Sequence, residues 1–324
     1  MRTPYPPFRP RAPWWGPDLQ TVRNALRPPA PHEFPAERII LPLSDGSGDA
    51  LSGLLQRPHT ECGKPLAVLI HGLSGSEESA YMHTSAGELL RRGHPVLRLN
   101  LRGAGLSRPL CRLQYHAGRT VDLRDALLDV PAELAARGFV LMGFSLGGNL
   151  LLKFLAEHAG DVDVLAAASV SAPIDLSAAS RRFLAPRNLL YQRHLIASMK
   201  AEALAGGADV STDERRAIGS VRTVWEFDEH FVAPRNGWSG AEAYYAANTA
   251  LGFLPEVRVP TLLIQSLDDP WIPSESYRAF DWSRHPKLQA LLPAAGGHVG
   301  FHGRDAPHPW HDRCFALFLE AQGL

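Results

Sequence analysis

Short apolar runs alternate with amphipathic stretches along most of this chain. The alternation begins near residue 65. Before it, residues 37–43 and 51–56 each read as a strand, and Ser44-Asp45-Gly46-Ser47-Gly48-Asp49 between them has a turn composition. That pattern predicts a hairpin at the edge of a sheet. Residues 65–70 are continuously apolar, as strands buried on both faces are. Further strands are expected at 95–100, 139–144, 164–170, 260–265 and 288–292. Helical patterns occupy 79–92, 122–137, 147–156 and 310–321, and Pro131 should kink or split the second. Strands and helices in alternation build a mostly parallel sheet with helices on both faces.

The alternation pauses over 177–257. This stretch is mostly helical in pattern and carries Phe183, Tyr191, Trp225, Phe227, Phe231, Trp238, Tyr244 and Tyr245. An insertion there would sit above the carboxyl ends of the strands, where open α/β sheets bind ligands. The expected organisation is therefore a core in two parts, 1–176 (with an N-terminal extension over 1–35) and 258–324, and a helical cap over 177–257. Arg181, Arg182, Arg187 and Arg193 read as the solvated face of cap helices rather than as an anion site.

Composition narrows the class. The 324 residues are 45% hydrophobic, with 33 basic and 33 acidic side chains, an ordinary enzyme composition. Zero net charge gives no electrostatic case for nucleic acid or an anionic membrane surface. No run of about 18 apolar residues is present, so no membrane span is expected. The Pro-, Arg- and Trp-rich N-terminus lacks the apolar stretch of a secretory signal. Cys62, Cys111 and Cys314 fit neither a metal motif nor a disulfide framework, and a reducing cytoplasm is the expected setting.

The chemistry concentrates at residues 143–147, Gly-Phe-Ser-Leu-Gly, between the strand 139–144 and the helix that follows. A tight strand-to-helix turn of this kind lifts a serine hydroxyl out of the sheet as a nucleophile. Gly143 and Gly147 leave no Cβ where strand and helix pass close together. The helix N-terminus would stabilise negative charge formed beside Ser145. A serine needs a base, and the base needs an orienting acid. Downstream, one strand leads into Asp268-Asp269-Pro270-Trp271-Ile272-Pro273, and the last leads into Gly296-Gly297-His298. The order Ser, Asp, His is the one that this kind of strand-turn-helix serine uses. His298 is preferred over His302 and His308, which do not directly follow a strand end. Asp268 and Asp269 compete, and the spacing Asp-x-x-x-Pro favours Asp269. An oxyanion needs two backbone N–H donors. Leu146 follows the serine, and Leu73 lies in the loop His71-Gly72-Leu73-Ser74-Gly75-Ser76 after the strand 65–70. Ser76 with Glu77 also reads as the start of the next helix. Gly103-Ala104-Gly105 does not complete a dinucleotide fingerprint, and no His, Asp and Glu set has metal spacing. No cofactor is expected.

Together these residues resemble the YheT-like branch of the α/β-hydrolase superfamily. The likeness is carried by residues 13–21, Pro-Trp-Trp-Gly-Pro-Asp-Leu-Gln-Thr, and by Arg102-Gly103-Ala104-Gly105 with the stretch 115–124. It continues through Gly143 to Asn149, Phe227-Asp228, Ala233-Pro234, Tyr244-Tyr245, Asp268-Asp269-Pro270 and Gly296-Gly297-His298. Asp18 stands where the family has histidine. The resemblance implies an α/β-hydrolase fold and a Ser145, Asp269, His298 triad. It further implies hydrolysis of short- to medium-chain acyl esters, in a branch linked to acyl-ester and phospholipid metabolism. The partner expected is a small-molecule acyl ester, and transient lipid contact stays open. Acyl transfer, phospholipase or thioesterase action by the same three residues is the alternative. A non-catalytic binding protein on the same fold is the third.

Overall fold

In the computed structural model, residues 5–29, 33–60 and 62–324 are described. Residues 1–4 and 30–32 of the expected N-terminal extension lie outside them. The described strands are β1 (Ala36–Pro42), β2 (Ala50–Gln56), β3 (Leu66–Ile70), β4 (Val96–Leu99), β5 (Phe139–Phe144), β6 (Val164–Val170), β7 (Thr261–Ile264) and β8 (Leu288–Leu291). They form one sheet in the order β1-β2-β4-β3-β5-β6-β7-β8. The hairpin β1–β2 occupies one edge and meets β4 antiparallel, and every other pairing is parallel. Helices α1 (Pro17–Leu26), α2 (Ala80–Arg91), α3 (Thr120–Leu128), α4 (Ala132–Ala135) and α5 (Leu146–Glu157) come before β6. Six more lie between β6 and β7: α6 (Leu176–Phe183), α7 (Leu189–Ala203), α8 (Thr212–Ser220), α9 (Val224–Phe227), α10 (Ala233–Arg235) and α11 (Ala241–Asn248). The last two are α12 (Glu275–Ala279) and α13 (Trp310–Ala321).

Strand β3 shows why the sheet is covered twice. Its side chains alternate between faces. Leu66, Val68 and Ile70 pack with Leu123 and Ala126 of α3 and with Leu150 and Phe154 of α5. Ala67 and Leu69 pack with Met82 and Leu89 of α2 and with Phe315 and Phe318 of α13. Each buried aliphatic side chain of this kind contributes about 1.5–3 kcal/mol. The inserted helices carry apolar clusters of their own, one around Leu195, Met199, Phe227 and Phe231, another around Tyr244 and Tyr245.

Two local readings change. Pro131 splits the expected helix cleanly, with α3 ending at Leu128 and α4 starting at Ala132. Ser76 and Glu77 do not begin a helix. Helix α2 starts at Ala80 after Ser79. The Glu77 carboxylate is held instead by Arg38 Nη2 at 2.6 Å and Asn100 Nδ2 at 2.8 Å. That pairing ties the turn at 76–79 to β1 and to the end of β4.

Helix α5 crosses the end of β3 at close range. A Cβ on Gly147 would run into the His71 carbonyl oxygen and come within 2.7 Å of that of Ile70. Both obstacles are backbone at the end of β3, so neither can swing aside. Gly147→Ala should therefore lower the unfolding free energy by about 1–3 kcal/mol. It would be read as a lower denaturant midpoint at unchanged slope. An unchanged midpoint would contradict this account of the crossing.

Candidate active site

Strand β5 ends at Phe144 and α5 begins at Leu146, so Ser145 alone makes the turn. Its backbone sits at φ 50°, ψ −123°, a conformation that costs a non-glycine residue on the order of 1–3 kcal/mol. Hydrogen bonds hold it there. Ser145 N–H donates to the Val170 carbonyl at 2.8 Å, and the Ser145 carbonyl accepts from Gly148 and Asn149 at 2.8 and 3.2 Å. Asn149 is fully buried and accepts from Ala250 N–H at 2.9 Å, which ties α5 to the end of the inserted segment.

The three residues expected from the chain order meet. His298 Nε2 lies 3.0 Å from Ser145 Oγ, and His298 Nδ1 lies 2.9 Å from Asp269 Oδ2. His298 and Asp269 are 6% and 4% exposed, so bulk water does not compete for their contact. The remaining capacity of the Asp269 carboxylate is filled. Oδ1 accepts from Trp271 N–H at 2.8 Å and Ile272 N–H at 3.0 Å, and Oδ2 also accepts from Gln265 Nε2 at 3.3 Å. Asp268 has a different place. It accepts from Gly297 N–H at 2.9 Å and from the Ser266 hydroxyl, and so braces the histidine loop. His302 and His308 stay apart from this group. His302 is buried, and its N–H donates to Gln20 at 2.7 Å. His308 sits beside Arg91 on the surface.

The loop after β3 is shaped around a single N–H. Gly72 lies so close to the serine that a Cβ there would come within 2.9 Å of Ser145 Cβ. Gly72 N–H donates to the Tyr81 hydroxyl at 3.0 Å, and Ser74 N–H donates to the Tyr115 hydroxyl at 2.7 Å. Leu73 N–H, between them, has no protein acceptor among the described residues. Leu146 N–H opens the first turn of α5, where no intrahelical acceptor exists. His71 fixes this loop from below. Its Nε2 accepts from Leu101 N–H at 3.0 Å, so Nδ1 carries the proton and donates to the Gly72 carbonyl at 2.8 Å. Complete burial pushes His71 down to about 4, which keeps it neutral.

Trp271, Thr21 and Gln20 lie within the motifs quoted above, which gave no sign of what each would touch. Trp271 stacks on His298 with ring centres 4.3 Å apart. His298 N–H donates to Thr21 Oγ1 at 2.9 Å. Gln20 is fully buried, and its Nε2 donates to the carbonyls of Trp14 and His302 at 2.6 and 3.2 Å. Helix α1 thus clamps the histidine loop, in which Val299 and Phe301 both take positive φ. Asp18 faces outward and joins α1 to the inserted segment through Arg187 at 3.1 Å and the Tyr191 hydroxyl at 2.9 Å. Of the four arginines read as a solvated face, Arg187 is therefore engaged with Asp18, and Arg181 with Glu242.

Ser145 and His298 open into a cavity of about 320 Å³. Its walls include Leu176, Phe183, Leu195, Met199 and Val224 from the inserted helices. Among the described residues no cluster of His, Cys, Asp and Glu could hold a metal ion. Nor is any helix there long and apolar enough to cross a membrane.

The alpha/beta hydrolase fold profile matches residues 65–305. The chain is also 33% identical over 249 residues to "Putative esterase YheT" of Escherichia coli (strain K12), covering 76% of this chain and 73% of that protein. The chain belongs to the α/β-hydrolase fold family, in its YheT-like branch. Eukaryotic relatives of this hydrolase include a Saccharomyces cerevisiae monoacylglycerol lipase at 27% identity and the human phospholipase ABHD3 at 25%. The chain spans 59% and 64% of their lengths, and they match 79% and 80% of it. A Pyrococcus furiosus esterase, Pf2001, shares the fold of the hydrolase with a TM-score of 0.61 at 17% identity, each chain covered to 98%. Family and relatives make the protein a hydrolase of the esterase and lipase type.

Gln20→Ala should release the histidine loop. It leaves buried backbone groups unpaired at about 1–3 kcal/mol each. Amide exchange at His302 should accelerate in proportion. Unchanged protection at that amide would mean that α1 does not hold the loop.

Proposed function

We propose that the protein is a serine hydrolase of carboxylic esters with short to medium acyl chains. The observation that carries this is the unbroken hydrogen-bond chain Ser145, His298, Asp269 at the mouth of an apolar cavity. Ser145 Oγ attacks the ester carbonyl carbon while His298 Nε2 takes its proton. Asp269 holds Nδ1–H and so fixes which nitrogen is free to act as base. The N–H groups of Leu73 and Leu146 receive the oxyanion. Collapse of the tetrahedral intermediate breaks the bond to the alcohol oxygen, which leaves with the proton from His298. Water then attacks the acyl-enzyme by the same route and frees Ser145.

The cavity supports the acyl-chain range. Its volume of about 320 Å³ is near the lower end of small-molecule sites, roughly 300–1,000 Å³. The free state of Cys62, Cys111 and Cys314 supports a reducing compartment such as the cytoplasm. One further reading has a specific support. A Saccharomyces cerevisiae relative, 26% identical, is named a medium-chain fatty acid ethyl ester synthase/esterase. An acyl-enzyme serves both directions, since an alcohol can replace water in the second step. Added ethanol that yields ethyl ester in place of free acid would identify transfer.

Kinetics on p-nitrophenyl esters of rising chain length test the assignment. Ser145→Ala should abolish turnover. Asp269→Asn should lower kcat by about 10⁴-fold with the fold intact, because the amide selects the wrong histidine tautomer. Asp268→Asn keeps an oxygen for Gly297 N–H and should cost less than about tenfold. Undiminished turnover in Ser145→Ala, or a larger loss from Asp268→Asn than from Asp269→Asn, would overturn the assignment.

A further inference from the structure

The turn that carries Leu73 is held unevenly. Gly75 N–H donates to the Gly72 carbonyl at 3.0 Å, which closes a four-residue turn over 72–75. Leu73 and Ser74 are its two central residues, and the peptide between them is the one that turns over between the common forms of such a turn. The form with positive φ at the third residue suits glycine, yet Ser74 stands there at φ 53°. The peptide before Leu73 is fixed twice, because the Gly72 carbonyl also accepts from His71 Nδ1 at 2.8 Å. The peptide after it has one hydrogen bond among the described residues, from Ser74 N–H to the Tyr115 hydroxyl at 2.7 Å. The Ser74 hydroxyl is buried without a partner and adds no hold of its own.

The Tyr115 hydroxyl is in turn fixed from the inserted helices. Its one proton goes to Glu202 Oε2 at 3.1 Å, which leaves a lone pair on the phenol oxygen for Ser74 N–H. Without that acceptor the phenol can point its proton at Ser74 instead, and the peptide loses its hold. Giving up the proton to Glu202 also makes the oxygen a better acceptor, since hydrogen bonds in a chain polarise one another. Glu202 lies in the last turn of α7, one turn on from Met199, which walls the main cavity together with Leu195. The Leu73 side chain packs against the apolar cluster that holds Leu195 and Met199. Helix α7 thus reaches both the cavity wall and the turn at 72–75. Burial pushes Glu202 up to about 7, so its bond from Tyr115 does not depend on a full negative charge, and an uncharged oxygen can accept the same proton.

We propose that Glu202 is a positioning residue for the oxyanion site, holding the Leu73–Ser74 peptide through Tyr115 and so making a helix of the inserted segment part of the catalytic geometry. This rests on the ester-hydrolase reading above. Neither Glu202 nor Tyr115 lines the cavity into which Ser145 and His298 open. Their effect is on where Leu73 N–H stands as the carbonyl oxygen becomes an oxyanion. It therefore falls on the transition state and not on the binding of the ester.

The test measures kcat and KM for p-nitrophenyl octanoate, and the affinity of octyl trifluoromethyl ketone, in wild type, Tyr115→Phe, Glu202→Leu and Glu202→Gln. The ketone reads the oxyanion site directly. Ser145 Oγ bonds to its carbonyl carbon, His298 takes the hydroxyl proton, and the carbonyl π pair moves to oxygen as the oxyanion. Removing an oxyanion donor costs about 10²–10³-fold in kcat, and displacing one costs less. Tyr115→Phe and Glu202→Leu should each lower kcat by about tenfold with KM held within about twofold, and should weaken the ketone by about the same factor as kcat. Glu202→Gln keeps an accepting oxygen and should recover most of what Glu202→Leu loses. The two Glu202 variants cover the case in which Tyr115→Phe fails to fold. Unchanged kcat in Glu202→Leu, a loss confined to KM, or a Glu202→Gln variant no better than Glu202→Leu would overturn the proposal. A wild type that turns over no ester would instead overturn the ester-hydrolase reading, and the proposal with it.

Discussion

The close approach of α5 to the end of β3 governs the rest of the site. Helix and strand can meet there only because Gly147 has no side chain, with the carbonyls of Ile70 and His71 against it. That contact sets where α5 begins, and it leaves one residue to turn the chain out of β5. Ser145 takes the turn at positive φ. The strained conformation persists because Val170, Gly148 and Asn149 over-determine it by hydrogen bonds. The same contact brings the loop after β3 against the serine, so one crossing positions both the hydroxyl and the two unpaired N–H groups.

Around that crossing, the supporting contacts work by removing alternatives. Tyr81 and Tyr115 occupy the N–H groups on either side of Leu73. His71, kept neutral by burial, holds the carbonyl of Gly72. Asp269 spends its oxygens on Trp271, Ile272 and Gln265 as well as on His298, which leaves the imidazole one orientation. Helix α1, far away in sequence, closes the arrangement by holding the histidine loop through Gln20 and Thr21.

Much of this was legible in the chain. The apolar runs gave every strand of the sheet to within about two residues, because buried parallel strands tolerate few polar interruptions. The order of Ser145, Asp269 and His298 followed from strand ends. What stayed out of reach depends on distant partners. Spacing favoured Asp269 over Asp268, but the bracing of the histidine loop by Asp268, through Gly297 N–H and the Ser266 hydroxyl, exists only after folding. Glu77 looked like a helix start until Arg38, 39 positions away, claimed it. The use of Gln20 and Thr21 could not be derived, since their partners lie about 280 residues on.

The central claim is that this geometry makes Ser145 an activated nucleophile with His298 as its base. The most direct measurement is labelling with a fluorophosphonate, read by intact mass and by mapping of the labelled peptide, on the wild type and on His298→Ala. The account predicts one adduct, on Ser145, in the wild type and none in the variant. A folded wild-type protein that takes no adduct, or a variant labelled as fast as the wild type, would contradict it.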